Sequence, residues 1–193
     1  MLDSAHVATP MTHTSRLSPD QGSPLDADAT SQYRRLLRCL IYLTNTRPDI
    51  VFAVHNLSQF ISAPTTYHQQ AVSRLLRYLK GTPGEGLYFS HTSSLHLCGF
   101  SDSDWATCST THKFVIEYFI YLRDSLISWK SKKQPTISRS SSEAEYRALA
   151  TTTCELQWLS YLLQDLHLPL SQPATLYCDN KFALQIAFTQ VFH

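Results

Sequence analysis

The sequence predicts an α/β protein: an N-terminal three-helix module, then a mixed sheet crossed by one long helix. Three observations predict it. Apolar residues recur at intervals of three and four from Tyr33 to Leu79. They give way after Gly86 to alternation and to runs of β-branched and aromatic residues, and a leucine stripe of helical spacing returns between Glu145 and Leu166. The expected boundaries are 1–30 for an exposed linker, 31–85 for the helical module and 86–193 for the sheet-bearing domain.

Bulk properties set the class. The 193 residues are 43% hydrophobic and 11% aromatic, enough for a packed core. No apolar run reaches the roughly 18 residues of a membrane span, and Met1 to Ser15 lacks the apolar centre of a signal peptide. An intracellular protein, of cytoplasm or nucleus and without a membrane partner, is expected. Five cysteines, odd in number and without a C-x-x-C pair, argue against structural disulfides, and His96-Leu97-Cys98 is too isolated for zinc spacing. Net charge is +1 but uneven: residues 1–30 carry one basic and four acidic groups, 31–90 seven and two, and 91–193 eight and nine. Nucleic-acid phosphate, if bound, belongs on the middle third; the plainer alternative is a solvated helical face.

Residues 1–30 hold Pro10, Pro19 and Pro24 among many Ser, Thr and Asp, and read as acidic linker. Tyr33, Leu36, Leu37, Leu40, Ile41 and Thr44 then form one helical face, with Thr30 as N-cap and a stop between Asn45 and Pro48. A second helix begins near Pro48, carries Ile50, Val54, Leu57 and Ile61 inward, and ends by Pro64. A third runs from Thr66 through Val72, Leu75, Leu76 and Leu79 to Gly81. Loops this short make the three pack together. Arg34, Arg35, Arg38, Arg74, Arg77 and Lys80 fall off or at the edges of the buried stripes, and Arg34, Arg35, Arg74, Arg77 and Lys80 are the candidate nucleic-acid contacts.

Beyond Gly84 and Gly86 the expected strands are Gly86–Ser90, Leu95–Asp102, Phe114–Leu122 and Leu126–Lys130, an antiparallel meander. Ser142, three residues before Glu145, suggests a capping box opening the long helix. Glu145, Leu149, Thr152, Leu156, Leu159, Leu163 and Leu166 share one stripe, so Glu145 is a carboxylate on the buried side and needs a proton, a cation or a partner. Glu143 points elsewhere, toward solvent at the helix N-terminus. Ala174–Cys178 is one more strand, able to lie parallel to the first because a helix precedes it, and Asn180–Thr189 starts a last helix.

Asp102 and Asp179 each close a strand. If those strands are neighbours, both meet Glu145 at one rim of the sheet, where three carboxylates need Mg²⁺ or Mn²⁺ to stand together. Alternatively, the two aspartates are turn residues and Glu145 is half of a capping box. Asp104 is a further candidate ligand, expected to turn to the other side of the strand.

Gly99-Phe100-Ser101-Asp102-Ser103-Asp104-Trp105-Ala106, Ile127-Ser128-Trp129-Lys130-Ser131-Lys132-Lys133-Gln134-Pro135-Thr136, Ser141-Ser142-Glu143-Ala144-Glu145-Tyr146 and Tyr177-Cys178-Asp179-Asn180 resemble the ribonuclease H module of copia-type LTR retrotransposon polyproteins. Tyr33-Arg34-Arg35-Leu36, Thr46-Arg47-Pro48-Asp49-Ile50 and Leu75-Leu76-Arg77-Tyr78-Leu79-Lys80-Gly81 resemble the end of the reverse transcriptase upstream of it, a thumb- or connection-like segment. The resemblance covers nearly the whole chain. It implies a ribonuclease-H-like fold in which four acids bind two Mg²⁺ ions and hydrolyse the RNA strand of an RNA–DNA hybrid. Carried over by position, Asp102, Glu145 and Asp179 are the first three, as catalytic and metal-binding residues. It also implies association with the remainder of a reverse transcriptase.

The departures shape the expectation. No Tyr-x-Asp-Asp polymerase motif occurs, so polymerisation is excluded. The family's fifth strand and fourth acid follow the segment that here ends Val191-Phe192-His193, which makes the ribonuclease-H-like sheet incomplete. Thr107, Glu117 and Arg123 stand at glycine positions, and His112-Lys113-Phe114-Val115 replaces a basic run. The expectation is a truncated, non-catalytic remnant of nucleic-acid-binding ancestry, with Mg²⁺-dependent hybrid cleavage as the alternative.

Overall fold

A computed structural model describes residues 4–12, 17–91, 95–105 and 113–189. The chain divides into two compact units, residues 1–87 and 88–193.

The first unit is built from α1 (Ala27–Leu43), α2 (Val51–Ser58) and α3 (Thr66–Gly81). Its core is Tyr33, Leu37 and Leu40 of α1, Ile50, Ala53, Val54 and Leu57 around α2, and Val72 and Leu75 of α3, the stripes that the spacing marks out. Asp26, rather than Thr30, caps α1 by accepting from the Ala29 amide at 2.7 Å. The second helix is shorter than its pattern: a 3₁₀ turn at Pro48–Ile50 leads into α2, which stops at Ser58. Arg34 stabilises that stop, donating to the carbonyls of Ile61 and Ser62 at 2.9 Å each. Tyr33, buried, donates to the Leu57 carbonyl at 3.0 Å, and burial pushes its phenol up to about 12.

The Thr46–Ile50 motif is a clamp. The Arg47 guanidinium, 6% exposed, forks onto both carboxylate oxygens of Asp49 at 2.9 and 2.6 Å and onto the carbonyl and hydroxyl of Thr82, each at 2.8 Å. It joins the entry of α2 to the exit of α3. Burial would raise the Asp49 carboxyl, but hydrogen bonds from Arg47 and Tyr78 hold it below the ordinary range.

The described part of residues 1–30 is packed rather than a free linker. Pro24 bridges Thr65, Leu25 donates to Pro64, and Thr66 donates to Ser23. Met11, Leu17 and Leu25 lie against the helical core. Scattered apolar residues without a period gave no sequence signal for this contact.

His68 sits at the N-terminus of α3, wholly buried and stacked on Phe60 at 4.0 Å. Its Nδ1 accepts from the Thr65 amide at 3.0 Å, serving as the third residue of a capping box. Burial pulls the imidazole below its ordinary pKa. The unfolded chain therefore takes up this proton first, and stability is full above about pH 6.5 and falls as pH drops through that value. His68→Gln keeps an acceptor for the Thr65 amide but does not titrate; urea unfolding of the two proteins between pH 7.5 and 5 is expected to show a shallower pH dependence for the variant.

The second unit is a four-stranded sheet ordered β3-β2-β1-β4, formed by β1 (Leu97–Asp104), β2 (Lys113–Leu122), β3 (Ser125–Ile137) and β4 (Thr175–Tyr177). The first three are antiparallel neighbours, and β4 lies parallel to β1. Gly86–Ser90 forms no strand, and β3 extends well past Lys130. The turn into β3 sets Arg123 at φ +51°, a conformation glycine would adopt without strain.

Helix α4 (Ser141–Asp165) crosses one face of the sheet and α5 (Lys181–Phe188) packs on α4. Alternation along β1 turns Leu97, Gly99, Ser101 and Ser103 toward α4. Leu156, Leu159 and Leu163 meet Leu97, Tyr118 and Ile120, while Ala144 and Ala148 meet Phe114 and Ile116. A Cβ on Gly99 would stand 3.0 Å from Leu156 Cδ1, so the missing side chain sets how closely helix and strand approach. Among the described residues no helix is long and apolar enough to cross a membrane.

Candidate metal centre

The first turn of α4 separates its two glutamates by function. Ser140 is the N-cap: its Oγ accepts from the Glu143 amide at 3.1 Å, and Glu143 Oε2 accepts from the Arg139 amide at 2.8 Å. The cap is thus Ser140 with Glu143, two residues earlier than the Ser142–Glu145 pairing read from the sequence, and Glu143 reaches back to the Arg139 amide rather than to that of Ser140, so the box is not the reciprocal one. Glu143 is further held by Arg147 at 2.8 Å, one helical turn on. This corrects the view of Glu143 as merely solvated. It also releases Glu145 from capping.

Glu145 is 6% exposed and lies over the end of β1. Its Oε1 accepts from the Ser103 amide at 3.2 Å, and the same amide donates to Asp102 Oδ1 at 2.7 Å, so one N–H holds two carboxylates. Glu145, Cys178 and Asp179 each bring a ligand atom within 4.8 Å of the others. Burial first, then the charges of Asp102 and Asp179, push the Glu145 carboxyl up to about 7, against the opposing Ser103 hydrogen bond. Among the described residues no Lys, Arg or His pairs with Asp102, Glu145 or Asp179. Asp102 lies outside that three-residue group and is tied to Glu145 through the Ser103 amide; a buried carboxyl beside two other acids, with no basic partner among the described residues, fits a hard divalent cation such as Mg²⁺ or Mn²⁺. Cys178 is the odd donor, its thiol raised first by burial and then by the surrounding acids, and so favours its neutral form.

Two further carboxylates stand nearby: Asp104, read from the sequence as a candidate ligand turned to the other side, and Glu117, which sequence reasoning did not assign to the site. Asp104 shares the face of Asp102, contrary to the expectation that it turns away: residues two apart on a strand point the same way. Burial and then Asp102 raise its carboxyl. Glu117 is the cross-strand partner of Asp102 and accepts from Ser131 Oγ at 2.5 Å; burial outweighs that hydrogen bond and, with Asp104 and Asp102, raises it. Register, which places Glu117 opposite Asp102, is invisible in either strand alone. Cys178 was adjacent to Asp179 throughout, and that adjacency was the available signal.

The five basic candidates do not gather in one place. Arg34 is committed to the α2 carbonyls, and Arg35 is exposed on α1. On α3, Arg74 donates to Thr9 at 2.9 Å and Lys80 to the Ser4 carbonyl at 2.9 Å, while Arg74 and Arg77 line a cavity of about 180 Å³ closed partly by Pro10, Met11 and Thr12. The N-terminal segment thus occupies part of the basic α3 surface. Thr107 and His112 lie outside the described residues.

Over all 193 residues the chain is 44% identical to the retrovirus-related Pol polyproteins of transposons RE1 and RE2 of Arabidopsis thaliana. The chain belongs to the copia-type, retrovirus-related Pol polyproteins. It is also 35% identical, over 83% of its length, to the Pol polyprotein of transposon TNT 1-94 of Nicotiana tabacum. This Pol segment spans 13% of RE1 and of RE2 and 12% of TNT 1-94. No family model and no solved structure matches it.

The carboxyl at residue 145 makes the Pol segment's stability pH-dependent in a defined direction. Its folded pKa of about 7 lies above the ordinary 4.5, so the folded state holds this proton more tightly; the penalty is absent below pH 4.5, grows through that interval and is complete above 7. At the full shift it is roughly 3 kcal/mol in metal-free buffer. Glu145→Gln is therefore expected to raise the unfolding free energy at pH 8 in EDTA and to change it little near pH 4.5; equal stabilities at pH 8 would contradict the raised carboxyl.

Proposed function

We propose that this Pol segment joins the end of a reverse transcriptase to a ribonuclease-H-like unit, and that Asp102, Glu145 and Asp179 bind Mg²⁺ or Mn²⁺ to hydrolyse the RNA strand of an RNA–DNA hybrid. The observation that carries the reading is the buried Glu145 carboxyl, raised by Asp102 and Asp179 and without a basic partner among the described residues. The parallel β1–β4 pair, with α4 crossing the same sheet, supports it: Asp102, two residues before the end of β1, and Asp179, two residues past β4, both act on Glu145 in the first turn of that helix.

Bound divalent ions would supply an activated water and stabilise the leaving 3′ oxygen. The protein's own share is orientation and charge. The Ser103 amide fixes Asp102 and Glu145 relative to each other, and the α4 cap leaves Glu145 free to be a ligand. Glu145 must lose its proton to take that role, so binding strengthens as pH rises through about 7. In the unit of residues 1–87, exposed Arg35 and the α3 cations offer phosphate contacts.

A second reading, a non-catalytic remnant that retains nucleic-acid binding, is favoured by Glu117 and Arg123. One adds a carboxylate beside Asp102, and the other occupies a left-handed turn. A cleavage assay on a labelled RNA–DNA hybrid in Mg²⁺ or Mn²⁺ separates the two. Hydrolysis is expected to fall more than ~100-fold in Asp102→Asn, beyond the loss usual for residues that only support ligands. Absence of cleavage, with Mn²⁺ still raising the melting temperature at pH 8, would favour the remnant; absence of both would remove the metal site.

A further inference from the structure

The motif His96-Leu97-Cys98, too isolated for zinc, takes on a different arrangement in the fold. Cys98 alternates with Leu97 and Gly99, so it turns to the face of the sheet opposite α4, and His96, two residues earlier, turns the same way. There Cys98 Sγ stands 3.4 Å from His96 Nδ1, and the other ring nitrogen, Nε2, stands 3.3 Å from Thr175 Oγ1. The parallel pairing of β1 with β4 sets Thr175 beside Cys98, bringing the third member from 79 residues beyond His96. The main chain of His96 is anchored as well, its carbonyl accepting from the Arg123 amide at 2.8 Å. Cys98 lines an open hollow of about 610 Å³ together with Phe100, Tyr121 and Tyr177. Arg123 and Asp124, which also line it, pair with each other at 3.3 Å, so the opening favours neither sign of charge.

From this constellation we infer that Cys98 is a nucleophilic thiol, with His96 as its base and Thr175 as the group that orients the base, and that it exchanges with low-molecular-weight disulfides of the glutathione type. An imidazole that donates its Nε2–H to Thr175 presents Nδ1 bare to the thiol, so the ring is set to receive the sulfur's proton. Nucleophile, base and orienting hydroxyl in hydrogen-bond sequence are what activation of a thiol requires, and the hollow gives the incoming molecule room. In the exchange His96 takes the Cys98 proton as the sulfur attacks one sulfur of the disulfide. A new sulfur–sulfur bond forms to Cys98, the old one breaks, and the departing thiolate takes the proton from the imidazolium. The small disulfide is reduced to one free thiol while Cys98 is oxidised to the mixed disulfide. Other thiols lack this setting. Cys39 and Cys154 are exposed and have no histidine partner among the described residues, and Cys178 stands with Glu145 and Asp179, whose charges oppose a thiolate. The site is separate from the metal-binding acids: Cys98 precedes Asp102 by four residues of β1, roughly 13 Å along the strand.

The test is the rate at which each thiol of the fully reduced chain forms a mixed disulfide with oxidised glutathione at neutral pH, read by acid quenching and peptide mass mapping. Accessibility alone favours the exposed Cys39 and Cys154 over the half-buried Cys98. Activation reverses that order, and Cys98 is expected to react at least ~10-fold faster than either. This ranking is measured on the parent protein and needs no variant. His96→Gln keeps a polar side chain but cannot act as the base; it is expected to slow Cys98 at least ~10-fold and to leave Cys39 and Cys154 unchanged. Thr175→Val is expected to slow Cys98 as well, and Thr175→Ser, which retains the hydroxyl, to restore the parent rate. A Cys98 that reacts no faster than the two exposed cysteines in the parent overturns the inference, as does a Cys98 rate indifferent to His96→Gln.

Discussion

A single backbone amide, that of Ser103, fixes the geometry on which the second unit's chemistry depends. It donates at once to Asp102, its own neighbour, and to Glu145, brought from 42 residues away by α4. For Glu145 to reach it, the first turn of α4 must lie almost on the strand. Ala144 and Ala148, both fully buried, and the absent side chain of Gly99 make that approach sterically free. Bulk at any of these positions would lift the helix and part the two carboxylates. Packing therefore comes first, and the electrostatic strain at Glu145 follows from it.

That strain is not relieved within the unit by any ion pair seen among the described residues. The first unit treats a partly buried acid in the opposite way: Asp49 is met by a bidentate guanidinium and a tyrosine hydroxyl, and its carboxyl is held low. The contrast is informative. A carboxylate that serves only the fold is neutralised by its neighbours, as Asp49 is by Arg47. Glu145 is instead surrounded by its own kind, an arrangement that costs stability and has a physical rationale only when an external charge completes it.

Periodicity in the sequence was sufficient for the helices and for the leucine stripe of α4, because burial on one face imposes its spacing directly on residue type. It singled out Glu145 for the same reason: a charge stood where the stripe required an apolar residue. What it could not supply were the features set by pairing. Glu117 facing Asp102, and Tyr177, Phe100, Phe119 and Trp129 forming one row, depend on register between strands far apart in the chain. The cap of α4 was misplaced by two residues because Ser138, Ser140, Ser141 and Ser142 all offer a hydroxyl, and only the entry of the chain decides among them. The N-terminal segment was read as linker since its contacts with α3 are mostly single hydrogen bonds, which leave no pattern.

Those contacts bear on where a nucleic acid would be held. Charge counting alone directs attention to the basic middle third, yet Arg34 and Arg47 are engaged with main-chain carbonyls, and Arg74 and Lys80 bond to the N-terminal segment. A guanidinium already committed to carbonyls must break those bonds before it can neutralise phosphate, so the formal charge of a helix overstates its value as a binding surface.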